Sequence, residues 1–162
     1  MNVAQPQTDP ANLAAADFTD TVLHVLETAV FALADPVEDR AEADVLTPIA
    51  VRIDLGGDMR GRMEIAGSFD LFASLAADMM GADLEEITID QAADFLAELA
   101  NMIAGRWATD ALGDQAEVTL GIPQPIPMNQ QDWQARLQAP GCHVFAVDEQ
   151  YLLVNLTSRT AK

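Results

Sequence analysis

Apolar residues recur at the three- and four-residue spacing of an amphipathic helix in three stretches of the chain. The first, residues 17–34, stops before an Asp-Pro pair, because a proline disfavours helical geometry at the residue ahead of it. The second, residues 69–80, precedes a glycine of the kind that caps helix C-termini. The third and longest, residues 89–112, follows a Thr-x-x-Gln capping box and also ends at a glycine. The pattern therefore predicts three helices. In the second helix, the expected core residues are Leu71, Phe72, Leu75, Met79 and Met80.

Alternation of apolar and polar residues predicts five strands. Residues 49–55 and 60–66 alternate clearly, and the Gly-Gly-Asp connection between them favours a β-hairpin. A phosphate-binding loop is the other interpretation of these glycines, but no helix pattern begins there. Further strands are predicted at residues 117–122, 143–147 and 151–157, and the last two form a second hairpin.

The order of these elements indicates the fold class. A helix, two strands, two helices and three strands favour an α+β fold with a mainly antiparallel sheet packed against helices, because alternating βαβ units are absent. We expect residues 17–158 to form a single domain. A flexible N-terminal segment is expected at residues 1–16, which are polar and contain proline, and a short C-terminal tail at residues 159–162.

Composition and charge narrow the function classes. The chain has 162 residues, half of them hydrophobic, and 26 acidic residues against 8 basic ones give a formal net charge of -18. This charge would repel a phosphate backbone, so we expect no nucleic-acid partner. No apolar run approaches the roughly 20 residues of a membrane-spanning helix, so membrane insertion is not expected. A single cysteine and the lack of a signal-peptide pattern favour the cytoplasm.

Residues with reactive side chains do not combine into a recognisable site elsewhere. His24 and His143 have no third ligand at metal-binding spacing, so no metal site is predicted. Cys142 lacks an evident His and acid partner, which favours a buried structural thiol. Trp107 ends the apolar stripe of the long helix and is assigned to the core, whereas Trp133, in a polar segment, fits an exposed position or a dimer contact equally well.

The long predicted helix has an unusual polar side. At about 100° per residue its apolar stripe faces the core, and the opposite side carries Asp90, Asp94, Glu98, Asn101 and Gly105. The three carboxylates stand four apart without an interleaved Lys or Arg, which costs a few tenths of a kcal/mol per pair. A glycine inside a helix costs ~1 kcal/mol relative to alanine. Such compromises indicate a functional surface. Because Gly105, Ala97 and Ala104 have small side chains or none, a partner's backbone could approach this surface closely.

Glu98 and Asn101, three residues apart, project side by side from this surface. A carboxylate accepts a hydrogen bond from a lysine, and an amide both donates and accepts, so it can orient a water without changing its own protonation. Phosphoryl transfer to water mainly requires an oriented nucleophile and charge neutralisation. Because no motif in the chain binds phosphate or metal, the phosphoryl group, its Mg²⁺ and the basic residues would have to come from a partner.

The pattern Asp94-x-x-x-Glu98-x-x-Asn101 resembles the signature of the chemotaxis phosphatases CheC and CheX, and the order of elements over residues 17–157 is similar to theirs. The resemblance implies that the substrate is a phosphorylated CheY-like receiver domain. Glu98 would pair with the receiver's active-site lysine, and Asn101 would place the attacking water. The chain would hold no cofactor of its own, since Mg²⁺ would belong to the receiver. We expect Asp94, Ala97 and Gly105 to contribute to partner binding.

CheC-like proteins carry a second motif on their first helix, but here Glu27 is followed at the Asn position by Val30. The single-site, CheX-like subgroup therefore fits better, and by the same resemblance a homodimer is implied. Two other functions stay open from the sequence. One is a non-catalytic module of the same fold that binds a response regulator or the flagellar switch, and the other is a structural dimer whose low helix surface packs on another protein.

Overall fold

The structure, a computed structural model, describes residues 15–160. Within this range the chain forms four α-helices and one seven-stranded antiparallel sheet. The helices are α1 (Ala15–Ala29), α2 (Phe69–Met80), α3 (Ile89–Leu112) and α4 (Gln130–Leu137). The strands are β1 (Ala34–Pro36), β2 (Pro48–Gly57), β3 (Met59–Ser68), β4 (Val118–Leu120), β5 (Gln124–Ile126), β6 (Cys142–Val147) and β7 (Gln150–Thr160). None of the helices in this range is long and apolar enough to cross a membrane.

The sheet runs in the order β1-β6-β7-β3-β2, and the short strands β4 and β5 both pair with the outer edge of β2. Its centre is the β2–β3 hairpin, in which Val51 lies opposite Ile65 and Ile53 opposite Met63. On the other side of β3, Ile65 pairs with Val154 of β7. Because side chains alternate along a strand, this register puts all five residues on one face of the sheet, where they are buried. The predicted α+β architecture with a mainly antiparallel sheet is confirmed.

That face packs against α1, α2 and α3 and forms the main core. Helix α3 contacts α1, α2 and the central strands, so it is held on three sides. Several of its buried positions are alanines, which let neighbouring elements approach closely. They are Ala92, Ala100, Ala104 and Ala108. The remaining side of α3 points away from the sheet.

Helix α4 covers part of the opposite face and builds a second, smaller core. The indole N–H of Trp133 donates to the Ala43 carbonyl over 2.9 Å, and the side chain is 0 % exposed. Arg136 joins α4 to the sheet through Glu64, with Nε and Oε2 2.7 Å apart. Our prediction that Trp133 is exposed or a dimer contact was therefore wrong, since it anchors α4 to the sheet.

Most predicted elements are present, and the differences have local causes. Helices α2 and α3 have the predicted bounds. Helix α1 ends at Ala29 instead of residue 34, and the chain turns at Phe31, whose φ is 56°. Leu33 is consequently exposed. Met79 and Met80 are about half exposed, since the buried residues of α2 end at Ala77. Helix α4 and strands β1 and β5 were not predicted. The predicted N-terminal segment, residues 1–16, lies outside the described residues except for residues 15 and 16, which belong to α1. The predicted tail was placed two residues too early, since β7 continues to Thr160.

Candidate functional site

The orientation of α3 is fixed at its start and along its core side. The Thr88 backbone N–H donates to Gln91 Oε1 over 2.9 Å, and the Gln91 N–H donates to Thr88 Oγ1 over 3.2 Å. This reciprocal capping box satisfies two of the helix's otherwise unpaired donors. Leu96, Leu99 and Ile103 are then buried against the sheet and helices. The rotation of the helix follows, and so does the identity of the residues that face outward.

The outward side of α3 carries the residues predicted from the sequence, and we call Asp94, Ala97, Glu98, Asn101 and Gly105 the motif face. Asp94 and Glu98 are exposed, and the other three are partly exposed. Among the described residues, no hydrogen-bond or ion-pair partner is found for the side chains of Asp94, Glu98 or Asn101. Residues three apart on a helix have Cβ atoms about 5–6 Å from each other, so Glu98 and Asn101 can act on one bound group. The predicted pair is thus adjacent and accessible.

Gly105 lies one turn beyond Asn101 and is not required by the protein's own packing. A Cβ built on it would meet only Leu120 Cδ1, at 3.8 Å, which is an ordinary contact distance. Beside it runs a groove of about 210 Å³ between the end of α3 and β4, lined in part by Thr109, Val118 and Leu120. Ala104, by contrast, is buried in the main core. Our prediction that Ala104 belongs to this surface was therefore wrong. The groove was not predicted from the sequence, because β4 comes to lie beside α3 only in the folded chain.

The C-terminal half of α3 is tied to α1 by contacts that the sequence does not reveal. Thr21 Oγ1 donates to Asp110 Oδ2 over 2.7 Å. Within α3 the same carboxylate also accepts a hydrogen bond from Arg106 Nε, one turn earlier, over 2.9 Å. The rings of Phe18 and Trp107 meet edge to face with centroids 5.2 Å apart. The two links to α1 fix the position of α3 behind the motif face. Trp107 is confirmed as a core residue, although its indole N–H has no partner among the described residues.

Helix α1 does not repeat the site. Glu27 is exposed, but Val30, at the position corresponding to Asn101, is buried and lies beyond the end of the helix at Ala29. A carboxylate and an amide are therefore not presented together there. Within residues 15–160 the arrangement of the motif occurs once, on α3.

The other reactive side chains are placed in packing environments. Cys142 is buried, as predicted for a structural thiol, and burial raises the pKa of its thiol to about 11. His143 is half-buried, with its ring 4.8 Å from that of Phe18, and burial together with nearby Arg40 lowers its pKa. His24 is exposed. The described part of the chain brings together no group of three or more His, Cys, Asp or Glu side chains that could hold a metal ion.

Comparison with known proteins gives a consistent result. A crystal structure of the chemotaxis protein CheX from Vibrio vulnificus superimposes with a TM-score of 0.67 at 16% identity, covering 93% of this chain and 99% of that one. The CheX of Desulfovibrio desulfuricans gives 0.64 at 14% identity, covering 90% of this chain and 98% of that one. The CheX of a CheX–CheY–BeF₃–Mg²⁺ complex from Borrelia burgdorferi gives 0.60 at 18% identity, covering 89% and 96%. At these identities the likeness establishes the fold.

A search of curated proteins gives no match to this sequence. The family model described as chemotaxis phosphatase CheX, however, matches residues 49–146, more than half of the chain. The matched range includes the whole of α3 and therefore the motif face. Sequence and fold agree, and the chain belongs to the chemotaxis phosphatase CheX family.

Proposed function

We propose that this protein hydrolyses the aspartyl phosphate of a CheY-like receiver domain by means of Glu98 and Asn101. The observation that carries the proposal is the pair on the outward side of α3, an exposed Glu98 carboxylate and a partly exposed Asn101 amide one turn apart, neither with a side-chain partner among the described residues. Support at the level of the family comes from its description as a chemotaxis phosphatase. A CheX of the same fold has also been crystallised with CheY, BeF₃ and Mg²⁺.

Asn101 would orient the attacking water. Its amide can accept a hydrogen bond from the water and donate one to a phosphoryl oxygen, and it stays neutral throughout. The water oxygen bonds to phosphorus as the bond from phosphorus to the aspartyl oxygen breaks, and the aspartate leaves as a carboxylate. The water's proton passes to the phosphate product or to solvent. This is an in-line displacement in which positioning supplies most of the protein's contribution.

Glu98 would dock the receiver by accepting a hydrogen bond from its active-site lysine. A charge-assisted bond of this kind is about twice as strong as a neutral one, so it can fix the register of α3 in the receiver's site. Asp94, one turn before Glu98, adds negative charge on the same side and would strengthen the attraction to a lysine-containing site. Glu98 thus positions the helix, and Asn101 acts on the reacting water.

Ala97 and Gly105 would complete the docking surface. Both lie on the motif face and neither projects beyond a methyl group, so the receiver's loops can approach the helix backbone. We assign Mg²⁺ to the receiver, where it would neutralise phosphoryl charge. The described residues of this chain offer no group of ligands for it. The predicted homodimer and the cytoplasmic location stay predictions.

The rival function is a binding module of the same fold that docks a receiver without accelerating hydrolysis. The two are separated by following loss of label from a phosphorylated receiver at several receiver concentrations, with wild type, Glu98→Ala and Asn101→Ala. Catalysis predicts a raised KM for Glu98→Ala and a lost kcat for Asn101→Ala. A binding module predicts complex formation with no acceleration by any of the three.

Two matched controls test whether these effects belong to the motif face. Glu27→Ala removes an exposed carboxylate from α1, and Gln134→Ala removes an exposed amide from α4, on the other side of the sheet. Neither should alter the decay rate. If either control matches the loss seen on α3, the effect is a general one of charge or stability, and the proposed roles fail.

A further inference from the structure

The basic residues of this acidic protein are concentrated on one surface. Only 8 Lys and Arg residues accompany 26 Asp and Glu residues. Four of the eight lie on β2, β3 and β7 at positions that alternate with the main-core residues, so they share the sheet face opposite α1, α2 and α3. We call this set the arginine face. It comprises Arg52, Arg60, Arg62 and Arg159.

Three of these four arginines have no acidic partner in the described structure. Arg62 pairs with Asp54, with Nε and Oδ1 3.1 Å apart. Arg52, Arg60 and Arg159 make no ion pair or side-chain hydrogen bond among residues 15–160. In a chain of net charge -18, this leaves an unused local excess of positive charge.

The strand register also sets two of the arginines against each other. Arg60 on β3 is directly opposite Arg159 on β7, and both are exposed. Like charges directly opposite on antiparallel strands are destabilising, so the protein's own fold gains nothing from this pair. The two arginines, with Thr157 of the same parity on β7, line an open depression of about 330 Å³. Nothing in the fold's own packing accounts for the arrangement.

We propose that the arginine face docks an acidic segment of a partner protein. The guanidinium fork matches a carboxylate with two parallel hydrogen bonds, and all four basic residues are arginine with no lysine among them. Asp54, and Glu64 paired with Arg136, lie on the same face and confine the unpaired positive charge to a small area, which suits a short acidic ligand better than an extended polyanion. The net charge opposes long polyanions such as nucleic acid and anionic membranes more strongly than a segment short enough to lie on the arginine face alone. Charge complementarity therefore favours a short run of Asp and Glu side chains.

This surface is independent of the motif face. The two lie on opposite sides of the sheet, since α3 packs on the face that the arginines do not occupy. A receiver on α3 and an acidic segment on the sheet could be bound together.

The test measures fluorescence anisotropy of a labelled hexaglutamate peptide titrated with the intact protein at about 50 mM and 300 mM salt. A hexaglutamine peptide is the neutral control. We expect salt-sensitive binding of hexaglutamate alone, weakened at least about tenfold in the double variant Arg60→Gln and Arg159→Gln. Arg106→Gln removes an exposed arginine from the helix side and should bind as wild type does.

Three results would overturn the proposal. They are no hexaglutamate binding by wild type at the lower salt, equal weakening by Arg106→Gln, and tighter binding of labelled duplex DNA or phosphatidylserine vesicles through the same arginines. The double variant should melt at or above the wild-type temperature, because it removes a like-charge pair, and this excludes unfolding as a cause. It should also keep the wild-type rate of receiver dephosphorylation. The two proposals are thus tested separately, and the failure of either one leaves the other standing.

Discussion

Replacing Gly105 with alanine should stabilise the protein and at the same time impair its docking to a receiver. A helix-interior glycine is ~1 kcal/mol less favourable than alanine. The added methyl would lie 3.8 Å from Leu120 Cδ1 and meet no other heavy atom within 4 Å outside the local backbone of its own helix, so no clash offsets this gain. For a domain of this size, ~1 kcal/mol corresponds to a rise in melting temperature of about 2–4 °C. Circular dichroism during heating measures it.

The same methyl group would stand on the motif face, where we propose that the receiver approaches the helix backbone. Overfilling a close-packed contact costs about 1–3 kcal/mol, which would raise the KM for phosphorylated receiver roughly 5- to 150-fold. The rate at saturating receiver should change little, because Glu98 and Asn101 are untouched. Gln134→Ala, an alanine substitution on α4, should leave KM unchanged. If Gly105→Ala is stabilised and its KM is also unchanged, Gly105 is not a contact. If it is destabilised, the packing argument is wrong.

The remaining predictions concern stability. Trp133→Ala should lose about 3–5 kcal/mol in urea denaturation, because it empties the second core, whereas a loss under 1 kcal/mol would contradict its anchoring role. Cys142 titrates near 9.0 when unfolded but at about 11 when folded, so stability on the order of 2 kcal/mol should be lost as pH rises from 9.0 to about 11, and Cys142→Ala should remove this loss. Because burial lowers the pKa of His143, the unfolded chain takes up the proton first. Stability should therefore fall below pH 6.5, less steeply in His143→Gln.

The elements whose signals lie within a short stretch of sequence could be predicted. Helix α3 has both a capping box and a terminal glycine, and α2 ends at Gly81, so their bounds could be predicted without tertiary information. The strands of the β2–β3 hairpin bury one face against the helices and leave the other polar over most of their length, and this gives a clear alternation.

Elements that depend on distant partners could not be predicted. Helix α4 has eight residues, and only Trp133 and Leu137 are buried, so its periodic signal is too short to recognise. Its place is decided by the Ala43 carbonyl and by Glu64, which are far away in sequence. Strand β1 contains Pro36 and pairs only with β6, an edge position that tolerates a residue poorly suited to strands.

The candidate site could be predicted from the sequence because its two residues lie on one helix, three positions apart. Helical geometry alone brings Glu98 and Asn101 together. The contact that holds this helix against α1 could not be predicted, because Thr21 and Asp110 are 89 positions apart in the sequence. The arginine face was not predicted for a similar reason, since Arg60 and Arg159 become neighbours only when β3 pairs with β7.

The central claim is that Asn101 directs water at a receiver's acyl phosphate. Its most direct test is the single-turnover decay of a phosphorylated receiver with saturating Asn101→Ala, in samples where anisotropy shows the complex to be formed. We expect the accelerated decay to fall at least about 100-fold, toward the spontaneous rate, with the complex intact. A bound Asn101→Ala variant that still dephosphorylates the receiver at the wild-type rate would contradict the claim.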